Sequence, residues 1–328
     1  MTAETINDFV LCFAGIVWEA MPFIVLGALV AGILEDVLPQ EAVAKLLPKN
    51  VILAIMIGGV LGLIFPMCEC GIVVVMRRLL RKGLPLSVCI AYMLAGPIVN
   101  VIVLFSTYAA FVAYTVGPDQ TSLGWPMVFL RGGMGFLVAC GTAFVVHLVA
   151  KRSSTPLLTA TAMPPKAAAA PITTNVTPLK KKTLKQRLNN ITSTALGDYL
   201  DIMAFLILGS LLAAFIKTNP AWTKAIQAAS ENQPMLAIPV MMLLAVLLCL
   251  CSEADAFLAA SFTGMSVSAR ISFLVMGPML DLKLLIMYTR VFRPKLILTL
   301  VICTVSQVFV YSLILHQLYN PTARVGSP

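Results

Sequence analysis

Two pairs of cysteines are the residues of this 328-residue sequence best suited to chemistry. Cys68 and Cys70 flank Glu69, and Cys249 and Cys251 follow 181 positions later. Thiolates prefer soft ions such as copper(I) and zinc, and trivalent arsenic belongs chemically with these centres. A thiol that binds such a centre gives up its proton, which a neighbouring carboxylate can accept. The two pairs therefore predict a site for a thiophilic metal or metalloid.

The backbone decides whether each pair can hold one ion. Side chains two residues apart on a regular helix diverge by about 200°, so both thiols of a pair reach one ion only where the backbone is extended or broken. Pro66 and Gly71 flank the first pair and favour a break there. The second pair has no such neighbours, so we expect its helix to continue and to offer one thiol. Apolar filling of the interior is the alternative role for all of these cysteines.

A Gly-Pro dipeptide interrupts an apolar segment in each half of the sequence, at Gly96-Pro97 and Gly277-Pro278. Proline removes a helix hydrogen bond, and freed carbonyls are tolerated at membrane depth only beside protein or a wet cavity. Asn100 and Asp281 follow three residues after each proline. A broken helix with a polar group beside the break is a common substrate site in secondary transporters, so we predict substrate binding there.

Ionisable side chains inside apolar segments are costly and mark functional sites by default. This sequence has them at Glu19, Glu69, Asp201, Glu253, Asp255, Asp281 and Lys283. Glu19 and Asp201 correspond at an offset of 182. We predict that Glu19, Asp201, Glu253 and Asp255 carry protons, and that acids and thiols of both halves converge on one hydrated chamber. The alternative is that some of these acids lie at segment ends and reach water by snorkelling.

The composition indicates a membrane protein. Hydrophobic residues make up 59% and charged residues 11%, with a mean hydropathy of +0.95, whereas soluble domains carry about 25% charged residues. The net charge of +9 comes from loops and helix ends, which suits membrane orientation rather than nucleic-acid binding. Only two histidines and no P-loop occur, so we expect no enzyme activity, no ATP hydrolysis by that route and no cofactor.

Each half contains four apolar segments of helical length. They are roughly 9–34, 51–79, 86–116 and 126–150, then 196–216, 236–257, 271–288 and 296–318. The predicted fold is an all-α integral membrane protein with about eight transmembrane helices, in two repeated four-helix halves with broken helices. Residues 1–150 form the first repeat, 151–190 a disordered basic cytoplasmic linker, 191–320 the second repeat and 321–328 a tail. Gly58 and Gly62 predict close helix packing.

Basic residues predict the orientation. The linker and Arg77-Arg78 are placed in the cytoplasm by the positive-inside rule. Four crossings per half give a parallel repeat with both termini in the cytoplasm. Arg290 and Arg293 then fall on the outer side, against the usual bias. An inverted repeat would place them inside, but it requires an odd number of crossings per half, so both arrangements remain open.

The run from Pro66 to Gly71, with the Gly96-Pro97-x-x-Asn100 segment, resembles predicted permeases of the YraQ and YcgR type, which include ArsP-like organoarsenical efflux permeases. The resemblance implies a bacterial inner-membrane permease whose cysteines are candidate ligands for trivalent arsenicals or metal ions. It carries over to Cys68, Cys70 and Gly71. Glu69 stands where many members have Ser, and this form is closer to a YcgR-like branch that acts with a small companion membrane protein.

The leading hypothesis is a lipid-embedded secondary permease that exports a thiophilic species such as a trivalent organoarsenical, Cu or Zn, coupled to protons. The alternative is a channel-like or structural subunit of a two-component permease complex whose partner carries part of the site. An intramembrane enzyme is the third class, and the scarcity of histidine argues against it.

Overall fold

In the computed structural model of the protein, the described residues are 6–15, 17–18, 21–22, 25, 48, 50–64, 67–81, 83–113, 115–116, 121–152, 157–159, 192–193, 196–197, 199–200, 203–204, 207–208, 210–211, 214–215, 234–262 and 265–319. The main helices are α1 (Ile6–Gly15), α2 (Val51–Ile64), α3 (Glu69–Arg81), α4 (Leu86–Ala95), α5 (Val101–Phe111), α6 (Gly124–Arg152), α7 (Pro234–Leu248), α8 (Ala254–Ser261), α9 (Val267–Met279), α10 (Leu282–Val291) and α11 (Pro294–Tyr319). A two-residue antiparallel pair, β1 (Thr115–Val116) and β2 (Thr121–Ser122), lies between α5 and α6.

Three described stretches are long and apolar enough to cross a membrane: Gly124–Arg152, Val267–Val291 and Pro294–Leu318. The second of these is α9 followed by α10. Helices α2, α4, α5 and α7 are apolar but shorter, because the chain breaks inside its hydrophobic segments. The protein is mostly helical, as the sequence predicts.

Both cysteine pairs lie at helix breaks. Met67 and Cys68 are non-helical between α2 and α3, whereas Cys70 already belongs to α3. In the second half, α7 ends at Leu248 and α8 begins only at Ala254. The expectation of a continuous helix through Cys249 and Cys251 is therefore wrong. Cys249 adopts φ 49°, the left-handed conformation that commonly ends a helix and that usually selects glycine, so no proline or glycine is needed to stop α7.

Both Gly-Pro segments also break a helix, as predicted. After each break the polar residue caps the next helix: Oδ1 of Asn100 accepts the N–H of Ile102 at 2.9 Å. Oδ1 of Asp281 accepts the N–H of Leu284 at 2.6 Å. Each cap satisfies one of the amide groups that a helix start leaves unbonded.

In the first half, α2 and α3 form a hairpin, here called hairpin 1. A Cβ added at Gly58 would lie 2.7 Å from the carbonyl oxygen of Val88, and one at Gly62 would lie 2.6 Å from Cα of Gly96. Helices α2 and α4 therefore run side by side in the same direction, and the packing predicted for the two glycines is confirmed. Because α3 ends just before α4 begins, α3 must return antiparallel to α2.

In the second half, α7 and α8 form hairpin 2 in the same way. Ser272 donates to the carbonyl oxygen of Ile238 at 3.5 Å, and Lys283 donates to that of Cys249 at 3.2 Å. Both pairs are 34 residues apart in sequence, so α7 runs parallel to α9 and α10. Since α8 ends shortly before α9 begins, it returns toward its starting face. Residues Cys249–Glu253 between α7 and α8 are called tip 2, and Met67–Cys68 are called tip 1.

The start of the linker is ordered against the end of α10. Leu158 bridges Phe292, Arg293 N–H donates to the carbonyl of Leu157 at 3.0 Å, and Thr159 N–H donates to that of Val291 at 3.0 Å. Residues 151–152 belong to α6. Residues 151–152 and 157–159 at the start of the predicted linker are therefore ordered, and Leu157 is buried on the main body. Residues 160–191 lie outside the described part.

These contacts fix the direction of each helix. Residues 157–159 and 291–293 define the linker face of the protein; the other face is called the opposite face. Helix α6 ends at the linker face and α11 begins there, so the two run antiparallel, with Gln307 donating to Thr142 midway at 3.1 Å. Ser268 lies 3.1 Å from His316 near the end of α11, so α9 starts at the opposite face and α9–α10 crosses to the linker face.

The first half crosses in the reverse sense. Helix α5 ends beside the start of α6, where Gly124 contacts Tyr108, so α4 starts at the linker face and α4–α5 crosses to the opposite face. Hairpin 1 therefore enters from the linker face and hairpin 2 from the opposite face. The two halves are inverted. The parallel repeat predicted from the sequence counted each hairpin as a single crossing and does not fit these contacts.

The inverted arrangement also explains the positions of the basic residues, which a parallel repeat would place on both sides of the membrane. Arg293 lies at the linker face together with Arg81 and Arg152, so the basic residues gather on one side, as the positive-inside rule requires. Because α11 starts at that face and crosses once, Tyr319 lies at the opposite face. Tyr319 and residues 157–159 are therefore on different faces of the described structure.

The halves pack across each other at the breaks. Helix α3 of hairpin 1 contacts α10, and α8 of hairpin 2 contacts α5. Each hairpin thus rests on the segment that follows the Gly-Pro break of the other half. This crossing brings the two tips and both breaks to the centre of the protein.

Candidate functional site

The ammonium group of Lys283 joins the two halves. Lys283 lies in the first turn of α10, and its Nζ donates to Oε1 of Glu69 at 3.0 Å and to the carbonyl of Cys249 at 3.2 Å. The same Nζ lies 3.3 Å from Oδ2 of Asp281. Glu69 belongs to hairpin 1 and Cys249 to tip 2, so one side chain holds both hairpins at one point.

These charged groups are shielded from the surroundings. The exposed fractions are 3% for Lys283, 2% for Glu69 and 0% for Asp281. Burial of an ion costs several kcal/mol unless a partner of opposite charge compensates it. Each group in this triad therefore depends on the others, and loss of the ammonium leaves two uncompensated carboxylates.

A second buried cation, Arg131 of α6, holds hairpin 2. Its side chain is fully buried, and one terminal nitrogen donates to Oγ1 of Thr107 at 2.8 Å. The other donates to the carbonyl of Ser252 in tip 2 at 2.7 Å and lies 4.0 Å from Oδ2 of Asp255. Arg131 and Thr107 belong to the first half, so hairpin 2 is bound to the helices of the other repeat.

The two ion-pair groups form one electrostatic unit. Asp255 interacts electrostatically with Arg131 and with the whole Lys283 triad, and all five residues are buried. We call Glu69, Arg131, Asp255, Asp281 and Lys283 the central cluster. It contains three carboxyl groups and two cations, so full ionisation leaves one negative charge in excess. A proton or a bound cation would neutralise it.

Acceptor oxygens remain available in this cluster. Oε2 of Glu69, Oδ2 of Asp255 and Oδ2 of Asp281 are buried and accept no hydrogen bond from the described residues. The last of these is close to Lys283 but is not aligned as a hydrogen-bond acceptor. Buried acceptors without partners are unusual in folded proteins. They mark the place where a proton, water or cation can bind.

The thiols lie next to the cluster in sequence. Cys68 immediately precedes Glu69 and is half-buried. In tip 2, Cys249 donates its thiol proton to the carbonyl of Val246 at 3.4 Å, and the sulfur of Cys251 accepts the N–H of Ala254 at 3.4 Å. Both sulfur atoms of the second pair thus bind backbone groups of the adjoining helices.

A complete metal centre is not formed by the described side chains. Among them, no group of three or more His, Cys, Asp or Glu is arranged to hold a metal ion. The backbone of Cys70 lies in the first turn of α3, but its side chain is outside the description. A joint role of Cys68, Cys70, Cys249 and Cys251 as ligands therefore stays a prediction.

The residues at the Gly-Pro breaks shape the centre. Gly277 lies against Asp255, since a Cβ added there would be 2.8 Å from Oδ2, and Pro278 follows within the last turn of α9. In the first half, Gly96 is in contact with Gly62 and with the side chain of Ile72. The turn at Pro97 leads to the capping residue Asn100, which is buried. Direct contact with substrate at these positions stays a prediction.

The residues predicted to carry protons fall in different places. Glu19 and Asp201 lie outside the described residues. Glu253 is half-buried in tip 2 and adjoins α8, two residues from Asp255. Asp255 alone of these four is shown within the central cluster.

Sequence reasoning missed Arg131 and its two hydrogen-bonding partners. The signal for Arg131 was present, because it is a lone cation within the apolar stretch that became α6, and such residues are functional by default. The signal for Thr107 and Ser252 was absent, since hydroxyl residues are ordinary in membrane helices and a backbone carbonyl carries no sequence signature.

Comparison with known proteins identifies the family of the chain. A family described as predicted permeases matches residues 5–317. The chain is 35% identical over 303 residues to the protein YcgR of Bacillus subtilis (strain 168), covering 92% of this chain and 95% of that protein. It is 34% identical over 303 residues to a "Putative two-component membrane permease complex subunit" of Streptococcus mutans serotype c, covering 92% and 93%. No solved structure matches the chain. This multi-pass membrane protein therefore belongs to the predicted permease family.

Proposed function

We propose that the protein is a secondary permease that exchanges a thiophilic cation or metalloid for protons at the central cluster. The observation that carries the proposal is the position of Lys283, whose Nζ binds Glu69 of hairpin 1 and the carbonyl of Cys249 in tip 2. Two hairpins that enter from opposite faces meet there beside the breaks of the crossing helices. Secondary transporters commonly place a substrate site between inverted repeats in this way.

The charge of the cluster supports cation and proton exchange. Its three carboxyl groups exceed its two cations by one, so a neutral cluster requires one additional positive charge. A proton and a cationic substrate satisfy that requirement equally, and one can therefore replace the other. Exchange of this kind couples the movement of substrate to the proton gradient.

The thiols support a soft substrate. Cys68 adjoins Glu69, while Cys249 contributes the carbonyl that binds Lys283. A thiol loses its proton when it binds zinc, copper(I) or trivalent arsenic, and the unpartnered oxygens of the cluster are suitable proton acceptors. We assign substrate binding to the two cysteine pairs and proton transfer to Glu69, Asp255 and Asp281.

The proposed direction is export from the cytoplasm of a bacterium, across its inner membrane. The basic residues of the linker face, among them Arg81, Arg152 and Arg293, support a cytoplasmic location for that face. Tyr319, at the end of α11, then lies on the outer side.

The test is transport into everted membrane vesicles, with Zn²⁺, Cu⁺, Cd²⁺ and a trivalent methylarsenical as substrates and with an imposed pH gradient. We expect uptake of at least one of them, driven by the gradient, and loss of that uptake in Cys68→Ser and Cys70→Ser. Cys303→Ser, a change on α11 outside both cysteine pairs, is the matched control and should transport normally. Full uptake by the Cys68→Ser/Cys70→Ser double variant would remove these thiols from the mechanism.

Glu19 and Asp201 provide a separate test of coupling. Glu19→Gln and Asp201→Asn should reduce the pH dependence of uptake more than the affinity for substrate. An unchanged pH profile in both variants would exclude these two carboxyl groups from the proton route.

A second candidate is a subunit of a two-component permease complex. It is favoured by the name of the Streptococcus mutans relative, which describes that protein as such a subunit. The partner would be a small membrane protein that supplies part of the site. Crosslinking and copurification of the tagged chain from its native membranes tests this, and full transport by the chain alone in proteoliposomes would contradict it.

A further inference from the structure

Each hairpin is bound to the other half of the protein by a different buried cation, although Lys283 also binds tip 2 of its own half at the carbonyl of Cys249. Hairpin 1 is bound through Glu69 to Lys283, at 3.0 Å. Hairpin 2 is bound through the carbonyl of Ser252 to Arg131, at 2.7 Å. In both cases the cation belongs to a crossing helix of the other half, α10 for Lys283 and α6 for Arg131.

The hairpins also enter from opposite faces. Hairpin 1 starts and ends at the linker face, because α2 runs parallel to α4 and α3 ends where α4 begins. Hairpin 2 starts and ends at the opposite face, because α7 runs parallel to α9 and α8 ends where α9 begins. Withdrawal of one tip therefore opens the central cluster toward one face only.

We propose that hairpins 1 and 2 are the two gates of the permease, and that Lys283 and Arg131 are the latches that close them toward the linker face and the opposite face, respectively. This inference rests on the proposed permease function, but its test measures access rather than transport. Lys283 and Arg131 are positioning residues in this scheme. They act by holding a tip in place.

The charges of the latches explain how substrate can open a gate. Lys283 shares its ammonium between Glu69 and Asp281, so a proton or a cation that binds Glu69 competes with the latch. Arg131 holds Ser252 through a neutral carbonyl and lies 4.0 Å from Asp255. Neutralisation of Asp255 therefore weakens the second latch less than neutralisation of Glu69 weakens the first.

Native cysteines report the opening of each gate. Cys68 lies in tip 1, and Cys251 lies in tip 2 next to Ser252. Cys89, which is fully buried in α4, reports unfolding. The experiment labels membrane vesicles of both orientations with a membrane-impermeant charged maleimide and assigns the labelled cysteines by peptide mass spectrometry. Arg293→Cys at the linker face and Leu318→Cys near the opposite face identify the labelled side.

Lys283→Met should raise the labelling rate of Cys68 from the linker face about tenfold, which corresponds to a shift of about 1.4 kcal/mol toward the open gate. Labelling of Cys251 should rise less than that of Cys68, because Lys283 also binds the carbonyl of Cys249 but Arg131 still holds Ser252. Arg131→Met should raise labelling of Cys251 from the opposite face by a similar factor and leave Cys68 unchanged. Failure of transport alone, with these sided changes present, would refute the proposed substrate but not the gates.

Two milder variants test the proposal if the methionine variants misfold. Glu69→Gln and Asp255→Asn keep the size of each side chain and remove one charge, so they apply if Cys89 becomes labelled in the methionine variants. Glu69→Gln should expose Cys68 from the linker face, and Asp255→Asn should have a smaller effect on Cys251. Equal labelling of both tips from both faces, unchanged labelling in all correctly folded variants, or labelling of Cys89 in all four variants would overturn the proposal.

Discussion

Hairpins 1 and 2 are built alike, but they are held by different chemistry. Both consist of two short helices that meet at a cysteine pair, and both rest on the other half of the protein. Hairpin 1 is held by a carboxylate that binds Lys283, whereas hairpin 2 is held by backbone carbonyls, that of Ser252 on Arg131 and that of Cys249 on Lys283. The two halves therefore share the arrangement of their helices but differ in the polar contacts at the centre of the protein.

The repeat offset shows where the difference arose. Leu250 corresponds to Glu69, and Ile102 corresponds to Lys283, so the first ion pair has two apolar counterparts in the inverted position. Ser312 corresponds to Arg131 and is also buried. Each polar latch therefore exists only once. A symmetric scaffold with an asymmetric charge pattern can respond differently to conditions at its two faces.

The largest loss of stability is expected from Arg131→Met. The change removes two hydrogen bonds and leaves Asp255 without its cation, which costs about 3–5 kcal/mol for a broken buried pair. The midpoint of thermal unfolding in detergent measures the loss. Lys151→Met, at the exposed end of the same helix, is the control and should shift the midpoint little. Similar midpoints for the two variants would show that Arg131 does not stabilise the folded protein.

A double-mutant cycle at hairpin 1 should give the next largest effect. Glu69→Gln and Lys283→Met remove the same contact, so their combined loss should differ from the sum of the single losses by about 1–3 kcal/mol. Glu69→Gln combined with Thr107→Val, which alters the hairpin 2 latch, should be additive within about 0.5 kcal/mol. Full additivity at Glu69 and Lys283 would mean that their ion pair does not stabilise hairpin 1.

Local sequence signals predicted the helix breaks better than the path of the chain between them. Pro97 and Pro278 predicted the breaks, because the missing amide of proline is a local property of the sequence. The second cysteine pair was misjudged, because Cys249 adopts a left-handed backbone that no adjacent glycine or proline announces. Residues 51–79 read as one crossing, since apolar length alone does not distinguish a hairpin from a span.

The central cluster was predictable in part for the same reason. Glu69, Asp255 and Asp281 were recognisable as costly charges in apolar segments. Their assembly with Lys283 depends on the inverted arrangement of the halves, which only tertiary contacts such as the pairing of Leu158 with Phe292 reveal. The sequence therefore indicated which residues matter but not which of them meet.

Gly277 gives a smaller test of the difference between the halves. A Cβ at this position would lie 2.8 Å from Oδ2 of Asp255, so Gly277→Ala should displace the carboxylate and cost about 1–3 kcal/mol by overpacking. Gly133→Ala, where nothing lies within 4 Å, is the matched control and should be neutral or slightly stabilising. Asp255→Ser should relieve part of the cost of Gly277→Ala. A cost that Asp255→Ser leaves unchanged would place the strain elsewhere.

The smallest expected difference in stability between the two halves concerns the capping residues Asn100 and Asp281. Asn100→Ala removes the acceptor for the N–H of Ile102 and should cost about 1 kcal/mol, the usual value for a lost helix cap. Asp281→Ala removes the corresponding cap and also a carboxylate that lies 3.3 Å from Lys283, so its cost should be larger. Asn100→Ser and Asp281→Ser retain a capping oxygen. Serine should therefore restore most of the stability at position 100 but only part of it at position 281. Equal rescue at both positions, measured from the unfolding midpoints, would show that Asp281 acts only as a cap and that its charge does not contribute to holding Lys283.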